Sequence, residues 1–179
     1  MTRLGIESNS RRSSTFLSRF TAVLVAGLIF GYTSVAQNHP TAPVRKEAPM
    51  SHATGPFDVK LTPQDDKVDP TLARLIIGKQ FHGDLEATSK GTMLSAGTAV
   101  KGSAGYVAIE LVTGALHGRT GTFVLQHSAT MNRGVPSLSI TVVPDSGTGQ
   151  LTGLTGTMNI IIAEGKHSYD FSYTLPEAP

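Results

Sequence analysis

The chain has 179 residues, enough for one domain plus extra segments, and no Cys, which excludes disulfides and thiolate metal sites. It also lacks Trp, and its formal charge of +2 divides unevenly. Residues 1–36 hold Arg3, Arg11, Arg12 and Arg19 against Glu7, a balance of +3, so the remainder is at −1 and offers no electrostatic footprint for nucleic acid.

Residues 1–19 are polar, Ser-rich and basic, and Phe20 to Tyr32 is an uninterrupted apolar or small run. Ser34-Val35-Ala36 follows, with small residues at the positions a signal peptidase reads. That order predicts a secretory signal peptide over residues 1–36, cleaved after Ala36 to leave Gln37 first. A membrane anchor is the weaker reading, because a span needs about 20 apolar residues and this run has thirteen. No stable membrane span is expected after cleavage, and the product is expected in the periplasm or secreted. Arg11-Arg12 followed by Ser-Ser-Thr-Phe-Leu is a poor twin-arginine context. The alternative is a cytoplasmic product started at Met50. Residues 37–54, with Pro40, Pro43 and Pro49, read as a disordered linker.

From Phe57 the pattern has period two. Phe57, Val59 and Leu61 alternate with Asp58 and Lys60; residues 62–73 read as a loop with room for one helical turn. Arg74 to Glu86 reads as a strand with a bulge at Gly83. Thr92–Lys101, Tyr106–Val112, Gly114–Met131 (interrupted by Gly118 and Gly121), Leu138–Val143, Met158–Ala163 and Ser168–Leu175 follow as strands, the last two joined by a turn at Glu164-Gly165-Lys166. In the last strand Tyr169, Phe171, Tyr173 and Leu175 share the inward face. No stretch shows helical periodicity, and fifteen of the nineteen glycines lie between Gly78 and Gly165, as many tight turns require. The expected fold is all-β, over residues 55–176: a closed antiparallel barrel of about eight strands, preferred to a sandwich because closure removes sheet edges.

The runs KQFHGDLEATSKGTMLSAG (Lys79–Gly97), GYVAIELVTGALHGRTGTFVLQHSATM (Gly105–Met131), VVPDSGTGQLTGLTG (Val142–Gly156) and GKHSYDFSYTL (Gly165–Leu175) resemble the bacterial domain-of-unknown-function 3224 family. The resemblance covers about Gly55 to Leu175. It implies a fold similar to the allene oxide cyclase barrel, shared with dirigent proteins, and a homo-oligomer. It implies no activity, and no catalytic residue carries over.

Candidate chemistry is sparse. SGTGQLTGLTG lacks the GK[ST] of a phosphate loop and reads as turn and hairpin. The six histidines show no metal-binding spacing, so no metal and no cofactor are expected. Glu110 interrupts the apolar run Tyr106–Val112. On an inward face it would serve as a general acid or base. Period alone favours the opposite, with Tyr106 and Glu110 in solvent and Val107, Ile109 and Leu111 in the core. His127 shares parity with Phe123 and Leu125 and points inward, making it the second catalytic candidate. Tyr106, His82, Tyr169 and Tyr173 are the ligand-binding candidates. Three functions stand open: a barrel binding a small apolar molecule in its lumen, an isomerase or cyclase using a lumenal carboxylate, and a structural homo-oligomer. An exposed apolar face on Val107, Ile109 and Leu111 would favour the third.

Overall fold

A computed structural model describes residues 48–65 and 68–176. The leader and most of the linker lie outside these residues. Eight strands follow one another in sequence: β1 (Met50–Pro63), β2 (Leu72–Phe81), β3 (Leu85–Gly97), β4 (Ala104–Leu116), β5 (Arg119–Asn132), β6 (Val135–Val142), β7 (Thr155–Ala163) and β8 (Lys166–Thr174). Each pairs antiparallel with the next, and β8 pairs with β1 from Met50↔Thr174 to Phe57↔His167, closing the barrel.

Several boundaries differ from the sequence reading. β1 begins at Met50, so the last five residues of the expected linker are strand. Gly83, with φ of 91°, lies in the turn between β2 and β3, so no bulge stands there and Arg74–Glu86 is two strands. No helical turn lies among the described residues of the β1–β2 connection; the helical turn that does occur is 3₁₀, at Gly149–Leu151.

Tight hairpins set the register. His117-Gly118, Arg133-Gly134 and Glu164-Gly165 each supply two consecutive positive φ values, the twist-matched geometry of a two-residue loop. Such a loop makes its flanking residues a hydrogen-bonded pair and turns alternate peptide groups outward from the hairpin. Along β6 and β7 this aims the peptide groups of Pro136, Leu138 and Ile140, and of Met158, Ile160 and Ile162, at one another. Yet β6 and β7 share a single register pair, Thr141↔Thr157. Pro136 brings no N–H to this junction. The wall is therefore joined at one end of the β6–β7 seam and parted at the other.

At the joined end the β6–β7 connection replaces the missing strand beside β5. Thr122 N–H donates to Thr148 Oγ1 (3.0 Å), Thr120 N–H to Gln150 Oε1 (2.8 Å) and Val124 N–H to Ser146 Oγ (3.1 Å). This segment is SGTGQL, and its short 3₁₀ turn drives Leu151 into the barrel mouth with Leu154 after it. Both are buried with Phe81, Leu85, Leu116, Phe123 and Phe171, so this half is a packed apolar core. As expected, Tyr169, Phe171 and Tyr173 of β8 and Leu175 just after it are buried, and Asp170 turns outward.

Candidate functional site

The rows of the barrel wall carry the site. Lys79 on β2 lies opposite Ser89 on β3, Gly91 opposite Glu110 on β4, and Ala108 opposite His127 on β5. Strand alternation turns all of these inward. Diagonal cross-strand neighbours are within reach of long side chains, so the four polar ones meet on one carboxylate.

Glu110 is fully buried. Lys79 Nζ donates to Glu110 Oε2 at 2.8 Å, and the Ser89 hydroxyl donates to Oε1. His127 Nε2 lies 2.9 Å from Oε2, by an approach too oblique for an aligned hydrogen bond. Gly91 makes the room: a Cβ there would fall 2.9 Å from Glu110 Cα and 3.0 Å from its Cβ. Lys79 also stands over the rings of Phe57 (5.3 Å) and Phe81 (5.6 Å), whose faces favour a cation.

Burial pushes the Glu110 carboxyl up. The contact with His127, the charge and hydrogen bond of Lys79 and the Ser89 hydroxyl outweigh it and hold the pKa at about 2. Glu110 is therefore a fixed anion at ordinary pH, unable to trade protons. Lys79, Ser89 and His127 are the groups in contact with it.

Toward the parted end of the barrel the next inward row is Leu75, Met93, Ala108 and His127. Ala73, Ser95, Tyr106 and Ala129 form one row across β2 to β5, with Ala108 and Gly91 beneath. Tyr106 is half-buried; burial and then the Glu110 charge raise its pKa, so it stays a hydroxyl donor. With the outward-facing Leu72, Leu94 and Val107 and with Val68 it lines a concavity of about 610 Å³ at this rim, which Lys79, Ser89, Glu110 and His127 do not line.

Glu110 thus faces inward, and the outward placement favoured by period alone is corrected: Val107, Ile109 and Leu111 are half-exposed and form no core. Two-residue alternation separates the faces of a strand but does not say which one is inside. His127 is buried as expected. The other candidates lie away from this cluster. Tyr169 accepts from the Leu85 N–H (2.8 Å) and donates to the carbonyls of His82 (3.0 Å) and Thr54 (3.1 Å), a backbone tie. Tyr173 packs on Phe171 and His117. The His82 ring is exposed, 3.6 Å from Glu86. Lys79 and Ser89 were not singled out from sequence, although Lys79 shares parity with Ile77 and Phe81.

No curated protein matches the sequence. The crystal structure of a protein with unknown function from Shewanella oneidensis MR-1 is similar at 54% identity, covering 73% of this chain and 100% of that one, with a TM-score of 0.69. That protein belongs to the DUF3224 family, and the model of the same family matches residues 53–173 here. The chain accordingly belongs to the DUF3224 family of proteins of unknown function.

Proposed function

We propose that this barrel holds a small, largely apolar molecule in its parted half, with one polar group of that molecule turned toward Lys79, Glu110 and His127. The observation that carries this reading is the ion cluster at zero exposure of Glu110, with Ala108 beside it and the row Ala73, Ser95, Tyr106 and Ala129 farther along the same inward face. Ions buried this deeply carry a desolvation cost that apolar side chains in their place would not. A mostly apolar lining with a few convergent polar groups is the usual chemistry of a small-molecule site. Native mass spectrometry of protein purified from its own compartment tests this. A retained small mass that disappears in Ala129→Phe, which fills the space, is expected; a clean apo mass for the wild type overturns it.

A second reading, an isomerase or cyclase, is favoured by the 2.9 Å contact of His127 with a permanently ionised carboxylate. His127 would move the proton and Glu110 would hold the ring in place. The resemblance to the allene oxide cyclase barrel is an analogy of fold and assigns no residue. The molecule released from the protein, incubated with fresh wild type and with His127→Gln, separates catalysis from storage. An isomer formed by wild type alone supports catalysis, and identical recovery from both excludes it.

Export is part of the proposal, supported by the basic start, the apolar run Phe20–Tyr32 and Ser34-Val35-Ala36. The first residue of the protein from its native host is expected to be Gln37. A start at Met1 or Met50 would reject it.

A further inference from the structure

The inner face of the wall is dry on one side of the His127 row and wet on the other. Ile77, Lys79, Ser89, Glu110 and Leu125 are buried. Past Ala108 and His127 toward the parted end, no inward residue of β2 to β6 is buried. Leu138 lies opposite Ala129 and Met131 opposite Pro136, on the lumen side of β5 and β6, yet they are 40% and 42% exposed. On β1, Leu61 lies opposite the buried Ile77 and is 48% exposed. Its pairing with β8 stops at Phe57↔His167, so nothing stands beside Leu61 on that flank. Side chains that fill the interior of a closed small barrel here line a cup open to water, with Leu61, Leu75, Met93 and Leu138 as its aliphatic wall.

The polar cluster forms the floor of this cup, and its hydrogen bonds do not balance. Glu110 accepts from Lys79 at one oxygen and from Ser89 at the other. An ammonium carries three N–H donors. Lys79 places one of them on Glu110, and its other close neighbours are the ring faces of Phe57 and Phe81. His127 Nε2, on a side chain 3% exposed, has no aligned partner. The charges of Lys79 and Glu110 cancel, while donor capacity is left over.

We infer that the guest of the proposed chamber is an uncharged aliphatic molecule with a carbonyl oxygen turned to Lys79 beside His127. This rests on the reading that the parted half holds a small molecule, and it names the class. A carbonyl accepts hydrogen bonds and brings no donor, which matches the unspent N–H groups. A carboxylate would stand against Glu110 and leave the floor with a net charge; an alkyl ammonium would repel Lys79 and add donors where they are already in excess. A bare hydrocarbon would fit the wall and leave the floor unanswered.

Displacement of the neutral fluorophore N-phenyl-1-naphthylamine from the purified protein tests this with four eight-carbon competitors: 2-octanone, 1-octene, octanoate and octylamine. The ketone is expected to act at about one-tenth the concentration of each of the others, as a hydrogen bond to a charged donor implies. In Lys79→Met with Glu110→Leu, which keeps the lumen filled without either ion, its advantage over 1-octene is expected to vanish while the fluorophore still binds. Leu138→Asp, on a half-exposed site of the wall, is expected to weaken the ketone and 1-octene alike. Four equal competitors would overturn the carbonyl assignment and leave the apolar chamber standing, as would a double variant that keeps the preference. Octanoate or octylamine binding tightest would overturn it in favour of a charged guest. No binding of the fluorophore or of any competitor would remove the chamber together with its guest.

Discussion

Glu110 shows how one buried carboxylate couples stability to pH. Its folded pKa of about 2 lies below the 4.5 of a free carboxyl. The stabilisation it provides is therefore complete above about pH 4.5 and is lost as pH falls through 2. A shift of this size corresponds to stability on the order of 3 kcal/mol. Acid unfolding followed by circular dichroism is expected to set in below pH 4.5 in the wild type. That pH dependence is expected to flatten in Glu110→Gln. Glu110→Gln also leaves the Lys79 charge buried without its counter-ion, at a cost of about 3–5 kcal/mol. The double variant Lys79→Met with Glu110→Leu removes both charges and is expected to regain wild-type stability or exceed it. If Glu110→Gln alone proved as stable as the wild type, the ion pair would not be the organising contact of the lumen. The sequence made part of this site legible. His127 followed from its parity with Phe123 and Leu125, both of which point into the core. Glu110 did not, because its own face held only Tyr106, Ala108 and Val112 to weigh against three apolar residues opposite. Hydrophobicity of the strand argued for the wrong side, since the outer face of β4 is itself apolar.

At the level of elements, alternation and turn chemistry gave the strands, and β8 was readable down to which of its residues face inward. The misplaced boundaries have local causes. Gly83 falls within an alternating stretch as a bulge would, and only the pairing of Phe81 with Ala87 distinguishes a turn from a bulge. His117-Gly118 is an ordinary two-residue hairpin inside what reads as one long strand, Gly114–Met131. The β6–β7 seam was not legible at all, because a missing ladder has no residue signature beyond Pro136. It has a measurable consequence. The seam-facing amides of Leu138, Ile160 and Ile162 lack the strand partner that a closed wall supplies. They are expected to exchange with deuterium far faster than those of β3 and β4, which share thirteen register pairs. Equal protection in amide-resolved exchange would mean that the seam is zipped in solution.

For the molecule as a whole, closure joins the first strand to the last, so Met50 meets Thr174 across the full length of the domain. Contacts this distant in sequence carry a large loop-closure entropy before they contribute any stabilisation. Stopped-flow refolding is expected on the millisecond-to-second scale of barrels rather than the microsecond scale of helical bundles. Refolding in microseconds would show that local hairpins carry the transition state without the β1–β8 pairing. The closed barrel itself was readable from spacing and from the family resemblance. Its contents were not, because nothing in a strand's own alternation tells how far neighbouring side chains reach across the interior.

The lone Thr141–Thr157 bridge behaves as a latch. Seven of the eight joints in the wall can stay fastened while this one opens, so a guest in the proposed chamber would depart sideways without the barrel coming apart. Its residence time would then follow the breathing of a single junction beside Ile140 and Met158. Tightening that junction would slow release without touching any group that recognises the guest.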